Sequence, residues 1–363
     1  MTKIMNENKI DREILNRRIT NEEALDLIKN ASLLELGELA TEKKSQLHPE
    51  KTTSFIVDRN INYTNVCWVD CKFCAFFRHG RDEDSYVLKF DEIDAKIDEL
   101  LEIGGTQILF QGGVHPKLKI DYYEELVSHI HTKYPQITIH GFSAIEIKYI
   151  AKVSKITILE VLKRLQSKGL SSIPGAGAEI LSDRVRDIIA PNKMDSLDWI
   201  EVHELAHSIG MKTTATMMFG TVETDEEIIE HWELLRDLQD RTGGFRAFIM
   251  WSFQGANTTL LKEIPDIKPQ SSNRYLRLLA VSRLYLDNFM NMQSSWVTQG
   301  SYIGQLALNF GANDLGSTMM EENVVKAAGA SNRMNQEEMI RLIKDVGEKP
   351  AKRNTAYEIL ERY

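Results

Sequence analysis

The amino-acid sequence predicts an α/β protein in which eight strands alternate with helices around a parallel sheet. Short runs of β-branched or other apolar residues alternate with longer segments of helical period, several of which begin at a cap residue and end at a glycine. The alternation extends over residues 52–330, which is the length and rhythm of a (β/α)8 TIM-type barrel. A doubly wound sheet would produce a similar alternation, so two α/β architectures stay open and the barrel is favoured.

The strands are predicted from short apolar or β-branched runs that turn residues interrupt. Within the strand 212–219, alternation places Thr214 and Thr216 on one face, which we expect to point into the barrel. In chain order the predicted strands are 53–58, 106–110, 137–142, 171–174, 212–219, 245–251, 290–295 and a short strand near 310–314.

The helices between the strands are predicted from their first and last residues. Thr157 and Thr224 each stand three residues before a glutamate, which is the spacing of a capping box. Glycines follow the predicted helices 91–103, 158–168 and 196–209, where a left-handed residue commonly ends a helix.

Three regions are predicted along the chain. Residues 1–51 contain a further capping box at Thr20 and form an N-terminal helical extension. Residues 52–330 form the barrel, and residues 331–363 form a C-terminal helical tail that packs on it. No Pro/Ser-rich linker or internal repeat divides the chain further.

Composition and charge exclude several classes of protein. The 363 residues are 42% hydrophobic and 27% charged, as in a folded globular protein. The net charge is −9 and no long basic run occurs, so we do not expect nucleic acid as a partner. No apolar run approaches the ~20 residues of a membrane span, and residues 1–11 lack the apolar core of a secretory signal. We therefore expect a cytoplasmic protein with no membrane partner.

The three cysteines carry the most information about function. Cys67, Cys71 and Cys74 lie within eight residues, which suits a metal site better than a disulfide framework. They follow the first strand, so in a barrel they lie at the catalytic end of the strands. An iron–sulfur cubane normally takes four thiolates, and three would leave one iron open. Two alternatives stay open. One is a Cys₃His zinc site that uses His79, and the other is that the three thiols are simply buried in the core.

The spacing Cys-x₃-Cys-x₂-Cys, with Phe73 just before the last cysteine, resembles the radical S-adenosylmethionine (SAM) superfamily. Membership implies a [4Fe–4S] cluster on Cys67, Cys71 and Cys74 whose open iron binds SAM. It also implies that one electron cleaves SAM to methionine and a 5′-deoxyadenosyl radical. The implied partner is an external one-electron donor such as flavodoxin or ferredoxin.

Other strand ends supply candidate contacts to the cofactor. The resemblance implies that the Gly-Gly stretch after the second strand contacts the methionine end of SAM, although it could be only a tight turn. Glu179 follows the fourth strand and could accept hydrogen bonds from ribose hydroxyls. Arg184 and Arg186 could contact a carboxylate of the ligand, and a surface salt bridge is an equal alternative for each. The candidate cofactor contacts are Phe73, Gln111, Gly112, Gly113, Ser143, Glu179, Arg184 and Arg186.

Within this superfamily the chain resembles the futalosine-pathway enzymes of menaquinone biosynthesis and their relatives in deazaflavin synthesis. One departure is the segment 254–257, where the family pattern has a proline that this chain lacks. The segments that carry the resemblance are NYTNVC (62–67), CKFCAF (71–76), QGGVHP (111–116), ATMMFG (215–220), LQDRTGGF (238–245), SWVTQG (295–300) and NDLGSTMMEE (313–322).

The resemblance implies a small-molecule substrate, dehypoxanthine futalosine. The radical would take the ribose C4′ hydrogen, and the sugar radical would cyclise onto the benzoate ring with loss of an electron and a proton. The alternatives are aminofutalosine synthesis from an enolpyruvyl substrate, deazaflavin formation from tyrosine and a pyrimidine, and a non-catalytic zinc-clipped scaffold.

The implied chemistry needs a base and a cation. Candidates for the base that accepts the proton are Asp314, Glu321 and His140, each of which lies near or beyond the end of a predicted strand. Candidates for the cation that binds the substrate carboxylate are Arg246 and Arg186, from charge type alone.

Overall fold

The structure, a computed structural model, describes residues 5–6 and 9–363. Residues 1–4 and 7–8 of the predicted N-terminal extension lie outside them. The strands are β1 (Met5–Asn6), β2 (Lys9–Ile10), β3 (Thr52–Ile56), β4 (Asp58–Ile61), β5 (Gln107–Phe110), β6 (Thr138–Gly141), β7 (Leu170–Ile173), β8 (Lys212–Phe219), β9 (Phe245–Ser252), β10 (Asn291–Gln293), β11 (Asp314–Ser317), β12 (Lys349–Arg353) and β13 (Ile359–Arg362).

Helices follow most of the strands. They are α1 (Asn21–Asn30), α2 (Leu33–Leu47), α3 (Phe90–Glu102), α4 (Ile120–Lys133), α5 (Ala144–Ser154), α6 (Ile158–Lys168), α7 (Asp183–Ile189), α8 (Ser196–Ser208), α9 (Asp225–Thr242), α10 (Thr259–Glu263), α11 (Ser272–Tyr285), α12 (Trp296–Gln299), α13 (Ser301–Leu306), α14 (Val324–Ala327) and α15 (Gln336–Asp345), with 3₁₀ helices at Arg12–Asn16 and Ala307–Phe310.

The parallel strands close into a barrel because the two halves of one strand pair with the first and the last of the other strands. β3 and β4 are separated by Val57 alone, so they form two halves of one strand. The first half pairs in parallel with β11, the second half pairs in parallel with β5, and the strands from β5 to β11 pair in sequence order between them. The predicted (β/α)8 architecture is thereby confirmed.

The predicted helix boundaries agree with the structure where caps are present. α6 begins after Thr157, whose side chain accepts from the backbone N–H of Glu160, and ends at Gly169 with φ of 117°. Thr224 forms the predicted capping box at the start of α9. The local signals at both helix ends are therefore sufficient to locate these elements.

The last barrel strand begins later than predicted. Residues 307–310 form a 3₁₀ helix, and the left-handed Gly311 ends it with φ of 99°. β11 then covers Asp314–Ser317, so the strand expected near 310–314 is displaced toward the C-terminus. An apolar run that ends in glycine is compatible with both a short helix and a strand, and its periodicity alone does not distinguish them.

The C-terminal tail is only partly helical. It contains α15, but β12 follows and pairs in parallel with β3, and β13 pairs antiparallel with β12. Of the two halves of the first barrel strand, β5 pairs only with β4, so one edge of β3 is left open and β12 occupies it. The tail therefore adds two strands to the barrel sheet, at the free edge of β3.

The N-terminal helices pack against the outside of the barrel. In α2, Lys44 is buried and its ammonium donates to the carbonyl of Leu308 at 2.6 Å. The ring of Phe310 lies against Gly37, where an added Cβ would be 2.9 Å from the ring. Among the residues that the structure describes, no helix has both the length and the apolarity needed to cross a membrane.

Candidate active site

A cavity of about 340 Å³ lies inside the barrel and is lined by inward-facing side chains of its strands. β9 contributes Arg246, Ile249 and Trp251, and β8 contributes Thr214 and Thr216, which confirms that the two threonines face inward. Arg246 is the second residue of β9 and Trp251 is the seventh, so the cavity follows this strand for about 16 Å at ~3.3 Å per residue.

The two ends of the cavity differ in their residues. The mouth is the end where the strands finish, and Phe73 and Cys74 line it. The floor is the opposite end, where Arg246 lies beside Arg353 and Tyr357 from the C-terminal hairpin. The cysteine loop thus lies at one end of the cavity and a group of cationic side chains at the other.

Backbone hydrogen bonds hold the cysteine loop, which follows β4. The amide of Cys67 donates to the carbonyl of Arg78 at 2.9 Å, and the amide of Trp68 donates to that of Val114 at 3.2 Å. The amide of Lys72 donates to the carbonyl of Ile189 at 2.8 Å. The loop is therefore anchored to three separate segments without using its thiols.

The three thiols lie in surroundings of low polarity. Cys71 is buried, and Cys67 and Cys74 are half-buried. Burial raises the pKa of all three thiols, that of Cys71 to about 12. A thiolate at these positions therefore requires a nearby positive charge, such as iron.

The geometry fits an iron–sulfur cluster better than a zinc site. Among the described residues, no three His, Cys, Asp or Glu side chains converge on a single metal ion. His79 is 60% exposed and its Nε2 lies 3.7 Å from Asp70, so it does not complete a Cys₃His site. In a cubane each thiolate binds a different iron, so the thiols need not converge on one point, and the charges of Cys67 and Cys74 are close enough to affect the pKa of Cys71.

The Gly-Gly stretch after β5 packs under the cysteine loop. A Cβ on Gly113 would lie 2.3 Å from the carbonyl oxygen of Val66, and one on Gly112 would lie 2.7 Å from the Tyr63 ring. Both glycines therefore permit a close approach of two backbone segments. Gln111 lines the cavity directly, so of these three candidates it alone exposes a side chain there.

Ser143 does not line the cavity, contrary to the expectation of a cofactor contact. Its amide and its hydroxyl both donate to Glu146 at 2.6 Å, and it caps α5. Glu146 also accepts from the Tyr63 hydroxyl at 2.6 Å and from the Gly112 amide at 3.1 Å. The serine and the glutamate therefore join the loops behind the cysteine segment rather than facing a ligand.

Glu179 lines the cavity near the mouth and forms an ion pair that sequence reasoning missed. The Lys193 ammonium lies 3.0 Å from both of its oxygens and 5.3 Å from the centre of the Phe73 ring. Burial alone lowers the pKa of Lys193, but Glu179 and Cys71 outweigh it and raise this pKa. The pair brings a carboxylate and an ammonium beside the cysteine loop.

Neither of the two predicted arginines on α7 reaches the cavity. Arg184 is exposed and pairs with Glu227 at 2.5 Å. Arg186 is buried, and its guanidinium donates to the carbonyls of Ala178 and Met194, both at 2.6 Å. Both guanidinium groups are thus engaged with protein groups, and their contact with the cofactor stays a prediction. Arg186 instead holds in place the backbone segment that carries Glu179.

Two of the three predicted bases are engaged in ion pairs away from the cavity wall. Asp314 is fully buried and accepts from Arg353 at 2.5 and 3.0 Å. Glu321 lies 2.8 Å from both Arg59 and Lys96. This placement speaks against a role as proton acceptor for either carboxylate.

His140 lines the cavity as expected, but it is a weak base there. Its Nδ1 lies 2.6 Å from the Ser172 hydroxyl. Burial, together with the charges of Arg246 and Arg353, lowers its pKa to about 3. The ring is therefore neutral near pH 7 and accepts a proton poorly.

Two carboxylates that sequence reasoning missed do line the cavity. Asp58 accepts from Gln107 at 2.7 Å and from Ser317, and burial raises its pKa to about 6. Glu322 accepts from the amide of Val324 at 2.8 Å, and burial raises its pKa. Asp58 ends the predicted first strand and alternates with Ile56 and Asn60 on the inner face, so its position was a readable signal.

Comparison with known proteins agrees with this geometry. Residues 61–235 match the family model of the radical SAM superfamily, and residues 242–363 match that of the CofH/MqnC C-terminal region. The chain is 45% identical to the cyclic dehypoxanthine futalosine synthase of Streptomyces coelicolor over 97% of its own length and 88% of that protein. The chain belongs to the radical SAM superfamily. The predicted membership is confirmed.

Two further relatives of this radical SAM protein are named for different enzyme activities. The cyclic dehypoxanthine futalosine synthase of Halalkalibacterium halodurans is 42% identical over 98% of the chain and 95% of that protein. The 5-amino-6-(D-ribitylamino)uracil–L-tyrosine 4-hydroxyphenyl transferase of Methanothermobacter thermautotrophicus is 38% identical over 97% of both proteins.

Solved structures share the fold of this radical SAM protein. Methylornithine synthase (PylB) superimposes with a TM-score of 0.72 at 16% identity, over 93% of this chain and 96% of PylB. The hydrogenase maturase HydG superimposes with a TM-score of 0.74 at 17% identity, over 93% of this chain and 75% of HydG. At this identity the comparison shows a common architecture.

Proposed function

We propose that this radical SAM protein cyclises dehypoxanthine futalosine to cyclic dehypoxanthine futalosine, a step of menaquinone biosynthesis. The observation that carries the proposal is the nearly full-length similarity to two enzymes named cyclic dehypoxanthine futalosine synthase. A cavity inside the barrel that extends from the cysteine loop to the arginines of the floor is compatible with a radical reaction on a small molecule.

The residues at the mouth fit the cofactors of the superfamily. Cys67, Cys71 and Cys74 would hold a [4Fe–4S] cluster, and SAM would bind to its open iron. When bound, this pair supplies a 5′-deoxyadenosyl radical. Glu179 and Lys193, adjacent to Phe73, offer a carboxylate and an ammonium to the polar groups of SAM. An external one-electron donor such as flavodoxin or ferredoxin would reduce the cluster.

The proposed reaction removes one hydrogen atom, one electron and one proton from the substrate. The hydrogen atom leaves ribose C4′, and C4′ then bonds to the benzoate ring. The ring regains aromaticity when an electron passes to a one-electron acceptor and a proton passes to a base. The net change is one new carbon–carbon bond and the loss of one C4′–H and one ring C–H bond.

We assign the base to Asp58. It lines the cavity between mouth and floor, and with a pKa of about 6 it is ionised near pH 7 and still accepts a proton readily. His140, with a pKa of about 3, is far less basic. Glu322 is less free, because it accepts three hydrogen bonds, from Asn60 and from the amides of Val324 and Val325, whereas Asp58 accepts two side-chain hydrogen bonds.

The experiment is anaerobic reconstitution with iron and sulfide, followed by reduction and incubation with SAM and dehypoxanthine futalosine. Mass spectrometry measures 5′-deoxyadenosine and the cyclic product. We expect both from the wild type and neither from Cys71→Ala, while the surface variant Lys117→Ala serves as the matched control and retains activity. Wild-type protein with a full cluster that yields no cyclic product would overturn the proposal.

Parallel incubations separate the alternatives. Turnover only with an enolpyruvyl substrate would indicate aminofutalosine synthesis. Turnover only with tyrosine and 5-amino-6-(D-ribitylamino)uracil would indicate the reaction named for the archaeal relatives. Colourless protein with one tightly bound zinc would indicate a non-catalytic scaffold.

A further inference from the structure

Arg246 is a cation at the floor of the cavity without a carboxylate partner among the described residues. Within the described part of the chain, its guanidinium donates one hydrogen bond, to the carbonyl of Thr355 at 3.4 Å. A guanidinium has five N–H donors, so most of its donors have no partner in the protein. Arg353 differs, because Asp314 binds it through both carboxylate oxygens and neutralises its charge.

The surroundings of Arg246 make an unpaired cation costly. Burial lowers its pKa, and the nearby Arg353 lowers it further, against the opposing effect of Tyr357 and Glu358. Arg246 is half-buried, and a cation without a partner in such a position loses part of its hydration with no other group to replace it. An anion that binds beside Arg246 would restore that lost interaction.

A second group at the floor also lacks a partner. Thr355 is only 8% exposed and lines the cavity, and its hydroxyl is buried without a hydrogen bond. Tyr357 lies on the same wall, and its ring is 3.9 Å from the Arg353 guanidinium. A guanidinium and a tyrosine side chain thus lie on one side of the cavity, beside a buried threonine hydroxyl that no protein group satisfies.

We propose that Arg246, Thr355 and Tyr357 form a carboxylate site at the floor and that it binds the benzoate carboxylate of the substrate. The choice of substrate rests on the proposed function, whereas the preference for a carboxylate rests on the side chains alone. Arginine and a carboxylate form two parallel N–H···O bonds, and hydroxyl groups can donate to the acceptor positions of the carboxylate that remain.

The proposal gives the C-terminal hairpin a part in recognition. Thr355 and Tyr357 lie in the turn between β12 and β13, and β12 is held by pairing with β3. The hairpin therefore closes the floor and also supplies two of the three proposed contacts. With the carboxylate at the floor, the ribose end of the substrate faces the cysteine loop at the mouth.

The test compares a carboxylate with its neutral analogue on the reconstituted protein. Dehypoxanthine futalosine and its carboxamide are titrated into wild type, Arg246→Gln, Arg246→Lys and Thr355→Val, with Arg341→Gln on α15 as a matched surface control. Binding is followed by calorimetry and by quenching of tryptophan fluorescence, because Trp251 and Trp296 both line the cavity. KM and kcat are measured separately.

We expect Arg246→Gln to weaken binding of the acid at least about 30-fold, to raise KM more than it lowers kcat, and to leave carboxamide binding nearly unchanged. Arg246→Lys should bind the acid more tightly than Arg246→Gln but less tightly than wild type. Thr355→Val should weaken binding of the acid by about 3- to 10-fold. Equal losses for acid and carboxamide, or no loss for either, would overturn the proposal.

A smaller probe separates this site from the choice of substrate. If wild type does not turn over dehypoxanthine futalosine, the proposed function fails, and 3-acetylbenzoate and 3-acetylbenzamide are used instead. Tighter binding of the benzoate that disappears in Arg246→Gln would support the carboxylate site independently. No preference for the benzoate in wild type would refute it.

Discussion

The mouth and the floor of the cavity are built in different ways. The mouth depends on three cysteines within eight consecutive residues, held by backbone hydrogen bonds. The floor joins Arg246 of β9, Asp314 of β11 and Arg353 of β12, which are far apart along the chain. A site carried by one loop is recognisable from spacing, whereas a site assembled by strand pairing becomes visible only in the folded barrel.

Asp58 lies between the two ends, and its replacement tests whether the proton is lost there. We expect Asp58→Asn to lower formation of the cyclic product by about 10²- to 10⁴-fold, as for loss of a general base. Formation of 5′-deoxyadenosine should persist, because the cluster residues are unchanged. Product and 5′-deoxyadenosine are measured in the same reaction. Equal loss of both would contradict the assignment.

The pH profile provides a second reading of Asp58. Burial raises the pKa of Asp58 from its ordinary 3.8 to about 6, while the charge of Arg353 lowers this pKa and the charge of Glu322 raises it. Product formation should therefore rise with pH through about 6 in wild type and lack this limb in Asp58→Asn. Because the unfolded chain ionises first, wild type should lose about 3 kcal/mol of stability relative to the variant between pH ~4 and ~6.

At the floor, Asp314→Asn should have the largest effect on stability. The substitution leaves the buried Arg353 without its counter-charge, and loss of one partner of a buried pair costs about 3–5 kcal/mol. Urea unfolding measures the change. The exposed pair of Arg341 and Asp345 gives the matched control, because Asp345→Asn should cost at most about 0.5 kcal/mol. Similar small effects at both sites would show that the floor does not depend on this pair.

At the mouth, Gly113→Ala should damage the cluster site while the floor stays intact. The new Cβ would lie 2.3 Å from the Val66 carbonyl, so the backbone before Cys67 must move. A displacement of about 1 Å in a catalytic group costs about 100-fold in turnover. We therefore expect a loss of that size, with less iron per chain, and unchanged binding of the carboxylate probe.

Gly80→Ala is the control for that substitution. An added Cβ there has its nearest neighbour at 3.6 Å, an ordinary contact, and the residue lies in the same loop region. Cluster content and turnover should match wild type. If both alanine variants load the cluster equally well, the close approach at Gly113 is not what positions the cysteine segment.

The same contrast explains how much of the molecule was predictable. Caps and glycines located α6 and α9, and cysteine spacing identified the mouth, because these signals are local. β12 was not predicted, because the segment KPAKR lacks strand alternation and pairs only where the break at Val57 leaves an edge of β3 open. Its position depends on the completed barrel.

Side-chain direction was the other source of error. Glu321 and Glu322 are neighbours, yet the first pairs with Arg59 and the second lines the cavity. Arg186 turns toward backbone carbonyls although it follows a strand end. Sequence position identifies the loop on which a residue lies, but it does not determine whether a side chain at the end of a strand faces the cavity or the surrounding protein.

The smallest expected effect concerns the connection that supports the mouth from behind. The Tyr63 hydroxyl donates to the buried Glu146, which also accepts from the Gly112 amide. Tyr63→Phe keeps the ring packing against Phe110 but removes one donor from a buried carboxylate, which should cost about 1–3 kcal/mol. Thermal or urea unfolding measures this cost, and Tyr302→Phe, at a side chain that is 77% exposed, should change stability by less than about 0.5 kcal/mol. If Tyr63→Phe is as neutral as this control, the mouth is held by its backbone hydrogen bonds alone, and its contrast with the ion-paired floor is sharper still.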